Sequence, residues 1–204
     1  MTVLRVRPLA GLAAAAALSI ALVGCASTSP GTEMGEHGDG HGSLIAEAGE
    51  MMTADAQFAM MMIPHHQQAV EMSDVLLAKD GVDEGVAALA ERMKAAQGPE
   101  IEQMQEWLDA QGFDMGDMDD MGMGGIEHSG MMSEEDMDAL EAAEGAEASR
   151  LFLEQMIEHH EGAIEMAEAQ VADGEDPEMV ALAESIIESQ TAEIAEMEGL
   201  LEQV

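Results

Sequence analysis

An internal repeat constrains the fold of this 204-residue chain more than any other feature of its sequence. The segment QFAMMMIPHHQQAVEM, which begins at Gln57, matches LFLEQMIEHHEGAIEM, which begins at Leu151, at an offset of 94 residues. Further along, residues 89–108 match residues 182–201 at an offset of 93, so one residue has been lost from the intervening loop. Repetition of this kind indicates two copies of one supersecondary unit that pack against each other.

Each copy has the pattern of two helices joined by a short turn. Apolar residues recur at spacings of three and four, and the turns carry Asp80-Gly81 in the first copy and the run from Asp173 to Pro177 in the second. Thr53 and Ser133 have side chains typical of helix N-caps. Because a single helical hairpin leaves its apolar stripe exposed, the two copies are predicted to close into an all-α four-helix bundle built from two repeated hairpins.

The charge of the chain excludes two classes of partner. The sequence has 43 acidic and 6 basic residues, a formal net charge of −37 with neutral histidines, and only 2% aromatic residues. Nucleic acids and anionic membrane surfaces are bound through clustered positive charge, and single strands through aromatic platforms as well. We therefore expect no nucleic-acid partner, whereas the dense negative charge attracts cations.

The first 24 residues have the pattern of a bacterial lipoprotein signal peptide. Arg5 and Arg7 precede an apolar stretch from Leu9 to Val23, which is too short to span a bilayer comfortably. The stretch runs into Leu-Val-Gly-Cys, which resembles a lipobox, and Cys25 is the single cysteine of the chain. We expect lipidation of Cys25 and a location at the extracytoplasmic face of the membrane. An ordinary secreted protein is the alternative.

Composition divides the remainder into a tether and a bundle. Residues 25–50 are rich in Ser, Thr, Gly, Pro and acidic residues, which is typical of a flexible tether. The bundle is expected at residues 51–204, with one repeat at 51–110, a Met- and Gly-rich linker at 111–132 and the second repeat at 133–204. In an oxidising compartment methionine and histidine stay usable as soft-metal ligands, whereas free thiolates oxidise.

Helical geometry places polar side chains inside each half of this bundle. At 100° per residue, His65 falls in the middle of the apolar stripe of its helix, and His66 falls on the flank. His159 and His160 repeat this placement in the second copy. Antiparallel pairing within each hairpin predicts Met62 near Glu100 and His65 near Gln97, with Met156 near Glu193 and His159 near Gln190. A helical core does not tolerate such a group without partners or a ligand.

Two interpretations of this polar group remain open. In one, the histidines hydrogen-bond the glutamines or carboxylates in a satisfied buried network. In the other, histidine nitrogen and methionine sulfur bind Cu(I) or Cu(II), with carboxylates orienting the rings. The residues predicted at the metal site are His65, His66, Met62, Glu100, His159, His160, Met156 and Glu193, supported by Gln97 and Gln190. A ferritin-type di-iron site is disfavoured, because no glutamate stands three residues before any of these histidines.

The linker contains methionine and histidine residues in a segment that is not expected to pack into a core. Residues 112–132 read GFDMGDMDDMGMGGIEHSGMM, a composition that does not form a core. Exposed methionines forgo hydrophobic stabilisation, so we interpret them as accessory ligands for Cu(I) or Ag(I). A low-complexity linker biased towards Met and Gly is the alternative. The accessory residues are Met115, Met118, Met121, Met123, His128, Met131 and Met132.

The repeated motifs resemble those of the domain of unknown function 305 family, whose secreted or lipid-anchored bacterial members carry a His-His motif, often in two copies. The resemblance rests on FAMMMIPHHQQAVEM (58–72), FLEQMIEHHEGAIEM (152–166) and the Q-x-x-E-I-x-x-M motif at Gln97 and Gln190. It implies a ferritin-like four-helix bundle and, for some members, extracytoplasmic copper binding. Pro64 is replaced by Glu158 in the second copy, so the two halves need not bind metal equally.

The sequence therefore predicts a lipid-anchored copper-binding protein that sequesters or transfers copper outside the cytoplasmic membrane, with no catalytic turnover. A metal-free structural or interaction bundle on the envelope is the alternative. An oxidoreductase that uses the bound metal has no sequence feature of its own.

Overall fold

The computed structural model describes residues 52–113 and 129–204, which form five α-helices and no strand. In chain order these are α1 (Ala54–Leu77), α2 (Glu84–Gln111), α3 (Glu134–Ala142), α4 (Gly145–Asp173) and α5 (Pro177–Leu201). Helices α1 and α2 form the first hairpin, and α4 and α5 form the second. The predicted all-α bundle of two repeated hairpins is confirmed, and α3 is a short additional helix ahead of the second hairpin.

Side chains at the caps set where the helices begin. The Thr53 side chain accepts a hydrogen bond from a backbone N–H in the first turn of α1. Ser133 and Asp136 form a reciprocal capping box at the start of α3, and Asp176 caps α5. Each cap satisfies N–H groups that have no partner within the helix. The N-cap roles predicted for Thr53 and Ser133 are confirmed.

Two apolar clusters fill the bundle, one near each hairpin turn. The first cluster lies near the α1–α2 turn and includes Met72, Leu76, Val86, Leu89, Phe152 and Leu153. The second lies near the α4–α5 turn and includes Phe58, Ile63, Met104, Leu108, Ala167 and Met179. Because α1 and α4 enter the two clusters in opposite order, these helices run antiparallel and cross between the clusters.

A buried carboxylate joins α1 to the α4–α5 turn. Asp55 is only 4% exposed. It accepts hydrogen bonds from Gln170 Nε2 at 2.6 Å and from the backbone N–H groups of Glu175 and Asp176, each at 3.2 Å. Three donors compensate for the water that this carboxylate has lost. Asp55 therefore ties the start of the first repeat to the turn of the second.

The amino-terminal predictions concern residues that the structure does not describe. The signal peptide at 1–24, the lipidation site at Cys25 and the tether at 25–50 all lie outside the described residues. Within the described ranges, no helix has the length and apolar character needed to cross a membrane.

Candidate metal centre

Four buried histidines lie where α1 crosses α4. His65 and His66 belong to α1, and His159 and His160 belong to α4. Each of the four residues is at most 1% exposed. The ring centroids of His65 and His159 are 3.8 Å apart with the planes inclined by 42°, and those of His159 and His160 are 6.3 Å apart. The histidines of both repeats thus form one histidine cluster, and the two on the flank of the stripe are buried with the others.

Two carboxylates contact the cluster in the same way in both repeats. His66 Nε2 lies 2.7 Å from Glu100 Oε2 on α2, and His160 Nε2 lies 2.7 Å from Glu193 Oε2 on α5. Because a carboxylate accepts, each Nε2 carries a hydrogen, which leaves the lone pair of a neutral ring on Nδ1. Carboxylates orient metal-binding histidines in this way, by accepting from the nitrogen that does not bind the metal.

A backbone carbonyl has the corresponding role for His65. His65 Nε2 lies 3.1 Å from the carbonyl oxygen of Ser129, in the segment that leads into α3. A carbonyl can only accept, so Nε2 of His65 also carries a hydrogen. His65, His66 and His160 therefore share one protonation pattern, although the three acceptors belong to different parts of the chain.

Burial keeps the ring of His159 neutral. The pKa of His159 lies well below 6.5, chiefly because burial penalises the charged ring and then because charges on His65, His160 and His66 would repel it. The backbone of His65 opposes part of this fall in pKa. That contact falls short of hydrogen-bond geometry, since neither ring nitrogen of His159 has an aligned partner among the described residues. Neutral imidazole is the form that binds metal ions.

The cluster has more polar atoms than hydrogen-bond partners. In the part of the chain that the structure describes, Nδ1 of His66, Nδ1 of His160, both amide atoms of Gln97 and Oε1 of Gln190 are buried without a partner. Each such atom costs roughly 1–3 kcal/mol. Among the described residues, the hydrogen-bond network of the first interpretation is therefore only partly formed. Unpaired buried imidazole nitrogens fit a metal-binding role instead.

The structure also describes the methionines and carboxylates of the predicted site. Met62 and Met156 are fully buried, but Met62 belongs to the second apolar cluster and Met156 to the first. Glu100 contacts His66, four residues beyond Met62. Across residues 52–113 and 129–204, no group of three or more His, Cys, Asp or Glu side chains could hold a metal ion. Metal binding at the histidine cluster would therefore draw on thioether sulfur or on a small movement of the rings.

Most of the predicted accessory ligands lie outside the described residues, namely Met115, Met118, Met121, Met123 and His128. Met131 is half-buried, and Met132 is 7% exposed within the first apolar cluster. The expectation that Met132 lies in an exposed loop is wrong, because its side chain packs in the core and its backbone is hydrogen-bonded to Gln68.

Two residues beside the cluster were not predicted from the sequence. Ser129 acts through its backbone carbonyl, which no side-chain pattern reveals. Gln68 holds the backbone of Met132, and its equivalent in the second repeat is Gly162. The difference between Gln68 and Gly162 at equivalent positions of the repeat is the sequence feature that could have indicated a special role for Gln68.

Solved structures with similar folds and sequences include two DUF305 proteins. A proposed secreted DUF305 protein from Streptomyces coelicolor is 36% identical, covering 74% of this chain and 93% of that one, with a TM-score of 0.66. A DUF305 fragment from Deinococcus radiodurans is 29% identical over 75% and 98% of the two chains, also with a TM-score of 0.66.

CopM in its Cu(I)-bound form is 31% identical, covering 75% of this chain and 98% of CopM, with a TM-score of 0.61. CopM has also been solved with Cu(II) and with Ag bound. No functionally curated protein matches the chain. Residues 55–201 match the family described as Domain of unknown function (DUF305), and the chain belongs to that family.

Proposed function

We propose that this protein binds copper at the histidine cluster and sequesters or transfers it without catalytic turnover. One observation carries the proposal. His66 donates to Glu100 and His160 donates to Glu193, which leaves Nδ1 of both buried rings without a hydrogen-bond partner among the described residues. A carboxylate on Nε2 makes the opposite nitrogen a stronger metal ligand. The low pKa of His159 keeps the imidazole of that residue in its metal-binding form.

The donor atoms favour copper and silver over hard cations. Imidazole nitrogen suits Cu(II), and thioether sulfur suits Cu(I) and Ag(I). Met62 and Met156 are fully buried in the apolar clusters on the two sides of the helix crossing. CopM, which shares 31% of its residues with this chain, binds Cu(I), Cu(II) and Ag. Calcium and magnesium sites use oxygen ligands instead.

The proposal includes a lipid anchor at Cys25 and a location on the extracytoplasmic face of the envelope. The lipobox-like sequence supports the anchor, and the proposed secretion of the Streptomyces coelicolor relative supports the location. The net charge of −37 raises the concentration of cations near the surface, within about 8 Å at physiological salt.

Competition titration of the full chain with Cu(I) and with Ag(I) tests the proposal. The His65→Ala/His159→Ala variant is expected to bind at least about 100-fold more weakly, because it removes two imidazoles from the cluster. Ser73→Ala/Ser149→Ala is the matched control, since it removes fully buried polar side chains from the same two helices away from the cluster. Equal affinities in these two variants would overturn the assignment of the site.

A metal-free structural role on the envelope is the second candidate. It is favoured by the finding that no three His, Cys, Asp or Glu side chains of the described residues form a preorganised site. A structural bundle would melt at the same temperature with and without Ag(I), whereas a bound ion stabilises the folded state by mass action. Redox cycling by the copper-loaded protein, measured against free copper, distinguishes both candidates from an oxidoreductase.

A further inference from the structure

The segment that leads into α3 lies across the histidine cluster, and we name residues 129–132 the strap. The carbonyl of Ser129 accepts from His65 Nε2 at 3.1 Å. Gly130 has a φ of +78° and lies so close to α4 that a Cβ on it would stand 2.7 Å from the carbonyl oxygen of Glu158 and 3.0 Å from that of His159. The strap therefore contacts both helices at the point where the four rings are buried.

The internal repeat departs from its own pattern where the strap passes. Positions 68 and 162 are equivalent in the two copies. In the first copy, Gln68 Nε2 donates to the Met132 carbonyl at 2.9 Å, and the Met132 N–H donates to Gln68 Oε1 at 2.8 Å. In the second copy, a Cβ on Gly162 would lie only 2.0 Å from the Ser129 carbonyl oxygen. The first copy thus binds the strap through the Gln68 side chain, whereas the second copy leaves room for the strap because Gly162 has no side chain.

We propose that the strap positions the His65 ring and closes the entrance to the histidine cluster, so that a metal ion enters and leaves where the strap lifts. The identity of the ion rests on the proposed function, but the strap can be tested in metal-free protein. His65 is held through the Ser129 carbonyl in the same protonation pattern that Glu100 and Glu193 impose on the other two rings.

Moving the strap disrupts fewer apolar contacts than separating the long helices would. All four rings are at most 1% exposed, so no ion reaches them unless some element moves. The long helices have 24 to 29 residues, and separating α1 from α4 would disrupt both apolar clusters. Among the described residues, lifting residues 129–131 breaks the bond from His65 and the exposed bond from Ser129 Oγ to Glu165 Oε2. The Gln68 bonds to Met132 form the hinge.

Gly162→Ala displaces the strap without deleting any side chain of the cluster. The added Cβ collides with the Ser129 carbonyl, while alanine is a better helix former than glycine, so α4 itself is not weakened. Gly199→Ala is the matched control, because Gly199 is a helical glycine of α5 whose Cβ would have nothing within 4 Å.

The first measurement uses metal-free full-length protein. Nitrogen NMR reports which ring nitrogen of each histidine carries the hydrogen, and diethyl pyrocarbonate reports how fast each ring is modified. In Gly162→Ala, His65 is expected to lose its preference for Nε2–H while His66 and His160 keep theirs. His65 and His159 are expected to react at least about fivefold faster, the factor that one net hydrogen bond contributes. If Gly162→Ala matches Gly199→Ala in both measurements, the proposal is overturned.

The second measurement follows release of Ag(I) to an excess of a thiol competitor. Gly162→Ala and Gln68→Ala are expected to release the ion at least about fivefold faster than the wild type. Gln155→Ala is the control for Gln68, because Gln155 Nε2 also donates to a backbone carbonyl at 2.9 Å, that of Asp136, which belongs to α3 and not to the strap. If these variants release Ag(I) at the rate of the wild type, the proposal that the strap closes the entrance to the cluster is overturned. If the wild type binds no Ag(I), the proposed function fails, and the metal-free measurements still decide whether the strap closes the cluster.

Discussion

His65 and His159 occupy equivalent positions of the two repeats, and their ring centroids lie 3.8 Å apart where α1 crosses α4. Their surroundings differ. His65 donates to the carbonyl of Ser129, whereas the nitrogens of His159 have no aligned partner among the described residues. The segment between the repeats thus breaks the twofold symmetry of the sequence at the proposed metal centre.

The low pKa of His159 makes the stability of the metal-free protein depend on pH. Burial, followed by the neighbouring histidines, holds this pKa well below 6.5. Below pH 6.5 the unfolded chain binds a proton that the folded chain does not, so the contribution of His159 is complete above pH 6.5 and is lost as the pH falls towards the folded pKa. Urea unfolding at about pH 7.5 and about pH 5.5 measures the loss. The His159→Gln variant should lose less stability over this interval, and an identical loss in both proteins would contradict the assignment.

The carboxylates behind the cluster are expected to control metal affinity. Glu100→Gln keeps a hydrogen-bond acceptor for His66 but removes the negative charge, so metal affinity should fall by about 10-fold to 100-fold. The equivalent change Glu193→Gln should act through His160. Glu196→Gln is a control of the same charge on the same helix, because Glu196 is 48% exposed and pairs with Arg92. A similar loss in all three variants, measured by Ag(I) competition, would mean that only the overall charge matters.

The helices and their ends follow from local rules, which explains why the sequence predicts them. The caps at Thr53 and Ser133 and the turn at Asp80-Gly81 depend on residues within one helical turn. The 3.6-residue period likewise assigns His65 and His159 to buried faces. Neither inference needs any knowledge of the partner helix.

The contacts between helices could not be predicted in the same way. Glu100 binds His66, which lies one turn along α1 from Met62, because the depth of an antiparallel pair depends on the turn and on how the side chains lean along the helix. The position of the strap could not be predicted from the sequence either. Its contact with His65 uses a backbone carbonyl, and the burial of Met132 depends on the tertiary position of Gln68.

Asp55 is expected to be important for stability. Asp55→Ala would leave Gln170 Nε2 and two backbone N–H groups without their acceptor, so unfolding should require about 3 kcal/mol less free energy. Asp80→Ala, at an exposed position in the α1–α2 turn, removes the same charge and should change stability by no more than about 0.5 kcal/mol. Urea denaturation gives both values. Equal effects would show that charge repulsion, and not the buried bonds, explains the result.

The contribution of the linker methionines to metal binding can be distinguished from that of the histidine cluster by removing their sulfur atoms. Replacing Met115, Met118, Met121 and Met123 together by leucine keeps apolar side chains of similar volume but removes four thioethers. We expect fewer Ag(I) ions bound per chain and an unchanged melting temperature of the metal-free bundle. Met93→Leu is the control, because Met93 is 1% exposed in the first apolar cluster and its sulfur is part of the core packing. If the fourfold variant binds as many ions as the Met93→Leu protein, the linker is not an accessory site, and the bound ions belong to the histidine cluster alone.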